Sequence, residues 1–226
     1  LIKGGFAARY GGRVSSVLDM RMKEGNMKQY NAEGSVGLIS SRILVEGPIK
    51  TDKTSFMISG RRTYLDALVK PFMRNQSSQG GYFFHDFNAK IQHKINDKHH
   101  LYLSGYFGLD KATLTNNQEA YYDDEGNRFK SESESKLKWG NSIGALRWNY
   151  KVGPKLFVNT TGTFSDYLFF IGQSSQTEIT NTFGDKTENL FQNGFSSGIQ
   201  DWSLKSDATY FLNPKHNIKF GVSEIY

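Results

Sequence analysis

Few residues in this chain have the type and spacing to do chemistry. Asp123, Asp124 and Glu125 within "DDEGN" (123–127) gather three carboxylates, the raw material for a divalent-cation site. They lack the alternating spacing by which a calcium loop aims successive oxygens at one ion, so they read as a solvated loop, and no metal is expected. His99 and His100 follow Lys98 and read as a solvated turn pair. There is no Cys, which removes thiol nucleophiles, disulfide frameworks and thiolate metal sites. No HExxH, GxSxG or phosphate loop occurs. No catalytic residue and no cofactor are expected. Tyr121 and Tyr122 sit in a stretch rich in carboxylates (Glu119, Asp123, Asp124, Glu125, Glu132, Glu134) against Arg128 and Lys130. Such a loop disfavours anionic ligands. The two tyrosines can stack on a sugar or an aromatic chelator, or pack against neighbouring loops.

The composition narrows what kind of scaffold holds these residues. In 226 residues there are 23 Gly and 17 Phe, 12 Tyr and 3 Trp, but only 4 Pro. That mixture suits strands joined by tight turns. The formal charge is +6, yet Lys and Arg are scattered singly, with no basic arm or helix, so no nucleic-acid partner is expected. No stretch approaches the roughly 20 apolar residues of a membrane helix. The mean hydropathy of -0.56 does not exclude a β-barrel, because half of every barrel strand faces a polar lumen.

Short turns recur: "IKTDKTSF" (49–56), "INDKHHLYL" (95–103), "VGPKLFV" (152–158) and "LNPKHNIKF" (212–220). Each sets Asp, Asn, Gly or Pro before a Lys and then enters an alternating run. Pro presets φ, and Asn and Asp bond their own backbone, so these types close turns. Between them lie long polar segments at about 65–81, 111–138 and 171–197, read as loops at the opposite end. Short turns at one end and long loops at the other characterise outer-membrane barrels.

Period-two alternation places successive side chains on opposite faces. Phe83, Phe87, Ile91, Leu103, Leu146, Trp148, Trp202 and Leu204 fall on an apolar face. Asp86, Asn88, Lys90, Gln92, Arg147, Asn149, Lys205 and Asp207 fall on the other and are expected to face a lumen. Around 156–170 the pattern is ambiguous, since Phe164 shares a face with Asp166, and a bulge is expected there. Nine strands result: 28–38, 42–49, 54–64, 82–95, 100–110, 139–152, 156–170, 198–212 and one from 217. The fold class is all-β, an antiparallel transmembrane barrel segment. Nine is not the even number of a closed bacterial barrel, and no initiator Met or leader stands at Leu1. The chain is therefore expected to be a portion of something larger.

"GGFAARYGGRVSSVLDMRMKEG" (4–25), followed by "EGSVGLISSRILVEGPIKTDKTSFMISGRRTY", resembles the end of the plug and the first barrel strands of TonB-dependent outer-membrane receptors. The resemblance covers roughly residues 4–64 closely and the remainder in pattern only. It implies a 22-stranded barrel filled by an N-terminal plug, with 1–27 the plug's tail and 28–226 the first part of the barrel. It further implies an outer-membrane location, with lipid around the barrel. The expected activity is energised uptake of a scarce small solute, with the TonB complex engaged through a region outside this sequence. A barrel-assembly, secretion or surface-lipoprotein partner is a further expected class. Arg9 and Arg13, beside the glycine pairs, are expected to reach Glu33 or Glu46 on the wall. Two rival readings are a passive porin and a soluble all-β carbohydrate-binding module.

Overall fold

The computed structural model describes residues 2–3, 10, 16–17, 21–73 and 77–226. Arg9 and Arg13 lie outside them. Two short strands, β1 (Ile2–Lys3) and β2 (Ser16–Val17), pair antiparallel. The body of the chain is one nine-stranded antiparallel sheet. Its strands are β3 (Asn31–Val36), β4 (Ser40–Lys50), β5 (Thr54–Thr63), β6 (Ser78–Lys94), β7 (His99–Tyr122), β8 (Arg128–Lys151), β9 (Leu156–Thr180), β10 (Lys186–Asn213) and β11 (His216–Ile225). Each strand pairs with its sequence neighbour, which leaves β3 and β11 as the two edges. The all-β class and the nine strands agree with the sequence pattern.

The short turns close as their residue types require. Asn96 Oδ1 accepts from the backbone N–H of Lys98 (2.8 Å) and His99 (2.9 Å). Asn213 does the same for Lys215 and His216 at 3.0 Å. Asp52 adopts φ 57°, a left-handed conformation that Asp tolerates, and donates its N–H to Met27 O at 3.1 Å.

The long loops expected at the other end are not loops. Residues 111–138 and 171–197 are mostly strand: β7 and β8 run 24 residues each, β9 25 and β10 28. A strand of a membrane barrel needs only about 9–11 residues to span a bilayer, so these strands run to more than twice that length. Their Ser, Thr, Asn and Gln residues have no apolar alternation to reveal a strand. The inter-strand ladder continues regardless, because each backbone group still finds its partner. The tips are tight. Asp123 Oδ1 accepts from Glu125 N (3.0 Å) and Asn127 N (2.9 Å), and Asn181 Oδ1 accepts from Phe183 N (2.9 Å) and Asp185 N (2.8 Å). Gly126 and Gly184, three residues after each cap, take φ of 83° and 90°. The "DDEGN" carboxylates are thus parts of a turn.

A pH dependence follows. The Asp123 carboxyl is held below its ordinary range, chiefly by the Asn127 side-chain amide. A depressed folded-state value stabilises the tip above the ordinary carboxylate range, and that support is lost as pH falls through the lowered value. The 181–185 tip is capped by Asn181, which does not titrate. Amide exchange should show the 123–127 tip loosening in acid while the 181–185 tip does not.

The segment 65–81 also departs from a polar loop. Leu65–Met73 forms a helix, α1. Asp66 in its first turn favours the N-terminus, and the N–H groups of Ala67 and Leu68 bond Tyr64 O at 3.1 and 3.0 Å. No bulge occurs near Phe164: the ladders of β9 with β8 and with β10 run without a register shift. Asp166 therefore shares a face with Phe164, opposite Ser142 and Gln200.

Candidate functional site: the inner wall and the segment that crosses it

Cross-strand register settles which side chains share a face. One rung reads Ser55, Gln92, Tyr102, Arg147, Thr161 and Lys205 across β5 to β10. The next reads Glu46, Met57, Lys90, Ser104, Ala145, Thr163 and Ser203. Asn149 and Asp207 lie on a third rung with Asn159, and Asp86 and Asn88 lie opposite Arg61 and Ser59. All eight residues expected to face a lumen thus share one face.

The opposite face carries Ile91, Leu103, Leu146, Gly162 and Leu204 on a single rung. Burial is the reverse of a soluble protein's. Leu103 and Leu146 are 54% exposed and Leu204 59%, while Ser55 is 0%, Glu46 2% and Lys90 7% exposed. A soluble sheet would hide the leucines and present the lysine.

The polar face is buried because the segment Met22–Met27 crosses it. Lys90 Nζ donates to Met22 O (3.2 Å) and to Glu24 Oε1 (3.4 Å). Arg147 Nη2 reaches the same Glu24 oxygen at 3.2 Å, and its guanidinium lies 4.0 Å from the Tyr102 ring centroid. Gly25 O accepts from Gln92 Nε2 (2.7 Å) and Ser55 Oγ (2.8 Å). Lys23 Nζ meets Glu46 at 2.9 Å and Glu33 at 3.7 Å. Its pKa is raised, first by the Glu46 hydrogen bond. Glu33 and Glu46 thus take Lys23 as a cationic partner. Spacing alone could not find Lys23 and Glu24, since each is one charge in an alternating run.

Gly25 is the close-approach point. A Cβ there would lie 2.6 Å from the Phe56 carbonyl carbon and 3.2 Å from Met57 N, so no side chain fits without moving β5. Gly25→Val is expected to unseat the segment at a cost of about 1–3 kcal/mol of overpacking. Limited proteolysis should then cleave within 21–30 while the β5–β10 wall resists.

Between Arg21–Glu24 and the inner faces of β6–β10 lies a cavity of about 770 Å³. Lys205 and Asp207 line it and pair at 3.7 Å. The Tyr10 ring approaches Lys205 Nζ at 5.7 Å. Arg147 Nε, Asn149 Oδ1 and Asn159 Oδ1 are buried without a hydrogen-bond partner among the described residues. The cavity suits water or a polar solute. Among the described residues no group of three or more His, Asp or Glu is placed to hold a metal.

Tyr121 and Tyr122 end β7, both exposed, and Tyr121 stacks on Phe129 at 5.2 Å. His99 and His100 are not a solvated turn pair, because the ladder places them at the start of β7 on opposite faces. His99 stacks on Tyr150 (4.4 Å) and accepts from Trp148 Nε1 at 3.2 Å, whereas His100 lies 4.5 Å from the inward Tyr102 ring.

No protein-family model and no curated protein matches this chain. Among solved structures it is similar to the siderophore receptor PirA from Acinetobacter baumannii, at 12% identity and a TM-score of 0.26. The alignment covers 89% of this chain and 43% of that one, so the chain spans less than half the length of that receptor. A likeness this low identifies no family, and the fold rests on the strand register described above.

Proposed function

We propose that this chain forms part of the wall of an outer-membrane receptor barrel of the TonB-dependent kind, taking up a scarce small solute past a plug whose tail is residues 1–27. The supporting observation is the inverted sheet. Its apolar face is open, its charged face is covered, and the covering strap is tied by Glu24, Gly25 and Lys23 to residues spread over β3 to β8. An apolar sheet face that α1 approaches at Gly81, and that no other element covers among the described residues, suits acyl chains. A carbohydrate-binding sandwich would bury that face. In lipid an unpaired strand edge is prohibitive, so β3 and β11 would pair with further strands. The long hairpins, with Tyr121 and Tyr122 near one tip, would meet the solute first. TonB, and a barrel-assembly, secretion or surface-lipoprotein partner, belong to this reading as partners outside the sheet.

Planar-bilayer conductance separates this reading from a passive porin. The full-length protein should stay closed, and deletion of residues 1–27 should open a steady conductance. Equal conductance with and without those residues would make it a porin. Recovery of the intact protein without detergent would remove it from the membrane.

A further inference from the structure

We propose that the apolar face carries a seat for a phosphate-bearing lipid headgroup between Lys111 and Lys138. The inference rests on the membrane reading above. Register places Phe83, Lys111, Lys138 and Phe170 on one rung, all on the face of Leu103 and Leu146. The two lysines are direct neighbours across β7 and β8, both half-buried, and neither has an acidic partner among the described residues. The nearby Glu134 is occupied by Lys136 at 2.5 Å.

Like charges directly opposite on one face destabilise a sheet. An anion between them converts that repulsion into two charge-assisted hydrogen bonds. Opposed Cβ atoms sit about 4.5–5.5 Å apart, close enough for two flexible ammoniums to share one phosphate.

Height along the sheet fits a headgroup. His99, in the aromatic cluster with Trp148 and Tyr150, is on the same face of β7 as Lys111 and twelve positions before it. At ~3.4 Å per residue and a tilt of ~40°, that separation spans ~31 Å across a bilayer. The hydrocarbon core is ~30 Å thick. The lysine pair therefore sits where acyl chains give way to phosphates, with the aromatic cluster at the opposite interface.

Helix α1 extends the same surface. Asp66 overlies the apolar-face side of Gly81, where an added Cβ would be 3.5 Å from Asp66 Cβ. The Arg62 guanidinium lies 5.5 Å over Phe83. Phe72, one turn after Leu68, is 82% exposed. A soluble anion would not need these apolar flanks, and a lipid uses both.

The test is native mass spectrometry of the full-length protein, exchanged from detergent into nanodiscs of phosphatidylglycerol or phosphatidylcholine. Phosphatidylglycerol should be retained preferentially. K111Q should weaken retention about 5-fold and K111Q/K138Q about 25-fold, at roughly one lysine's worth of attraction each. K53Q, in a turn at the other end, should change nothing. Millimolar inorganic phosphate should not displace the lipid. Equal retention of both lipids, or unchanged retention in a folded double variant, would overturn the seat and leave the membrane reading intact. Full displacement by phosphate would make it a free-anion site instead. Failure to enter either bilayer would overturn the membrane reading itself.

Discussion

Leu146→Arg is expected to destabilise the protein in a bilayer by about 2–4 kcal/mol, the cost of a cation on the lipid face near the midplane. Leu146 lies on the outer rung with Ile91, Leu103 and Leu204, inside the apolar band and one rung from its Gly105–Gly144 midpoint on that face. Thr163→Arg provides the comparison. Thr163 belongs to the inner rung with Ala145 and Ser203 and lines the 770 Å³ cavity. A cation there meets water and stays within about 0.5 kcal/mol, as at most solvated positions. Urea-driven unfolding from lipid vesicles reads both. Equal penalties would mean that both faces see the same medium.

Glu24→Ala is the second large effect. Lys90 is a cation 7% exposed, and Glu24 is the carboxylate that neutralises it at 3.4 Å while also holding Arg147. Removing one partner of a buried pair strands the other charge, at about 3–5 kcal/mol when both are buried. Glu24 is 45% exposed, so about 2 kcal/mol is the expected loss after solvent screening. Lys90→Met removes the cation instead and should be near neutral, because an apolar isostere leaves no unpaired buried charge. Unfolding midpoints of the two variants should therefore diverge. Equal losses would show that the contact works by packing alone.

Much of the architecture is legible in the sequence where one face is apolar. From Phe83 to Ile95, and from Leu101 to Leu109, strict alternation fixes both strand and face, and the register agrees. The pattern fails where both faces are polar. In 111–138 and 171–197 the Ser, Thr, Asn and Gln residues satisfy either environment, so strands there read as loops. The ladder alone determines them. Two signals were still present: Asp123 before Gly126, and Asn181 before Gly184, each three residues apart, mark tight tips. In 65–73 the spacing of Leu65, Leu68, Val69 and Phe72 is helical, yet it was masked by the polar residues around it.

The inner wall shows the same division. Its eight wall residues follow from parity. Their contacts with Lys23, Glu24 and Gly25 do not, since 66 residues separate Glu24 from Lys90 and 123 separate it from Arg147. They meet only because the segment 22–27 crosses the polar face of the assembled sheet.

The chain contains no Cys, so single cysteines can carry a nitroxide without background. Labels walked from Leu101 to Leu109 along β7, in the full-length protein reconstituted in lipid, test the central claim most directly. Collisions with lipid-soluble oxygen should peak at 101, 103, 105, 107 and 109. The even positions should be shielded from oxygen, and of these 104, which lines the cavity, should be more open to a water-soluble nickel chelate than its odd neighbours. A two-residue period in oxygen access is the expected result. Uniform access at odd and even positions, or oxygen access peaking at 102, 104 and 106, would contradict a wall with acyl chains on one side and water on the other.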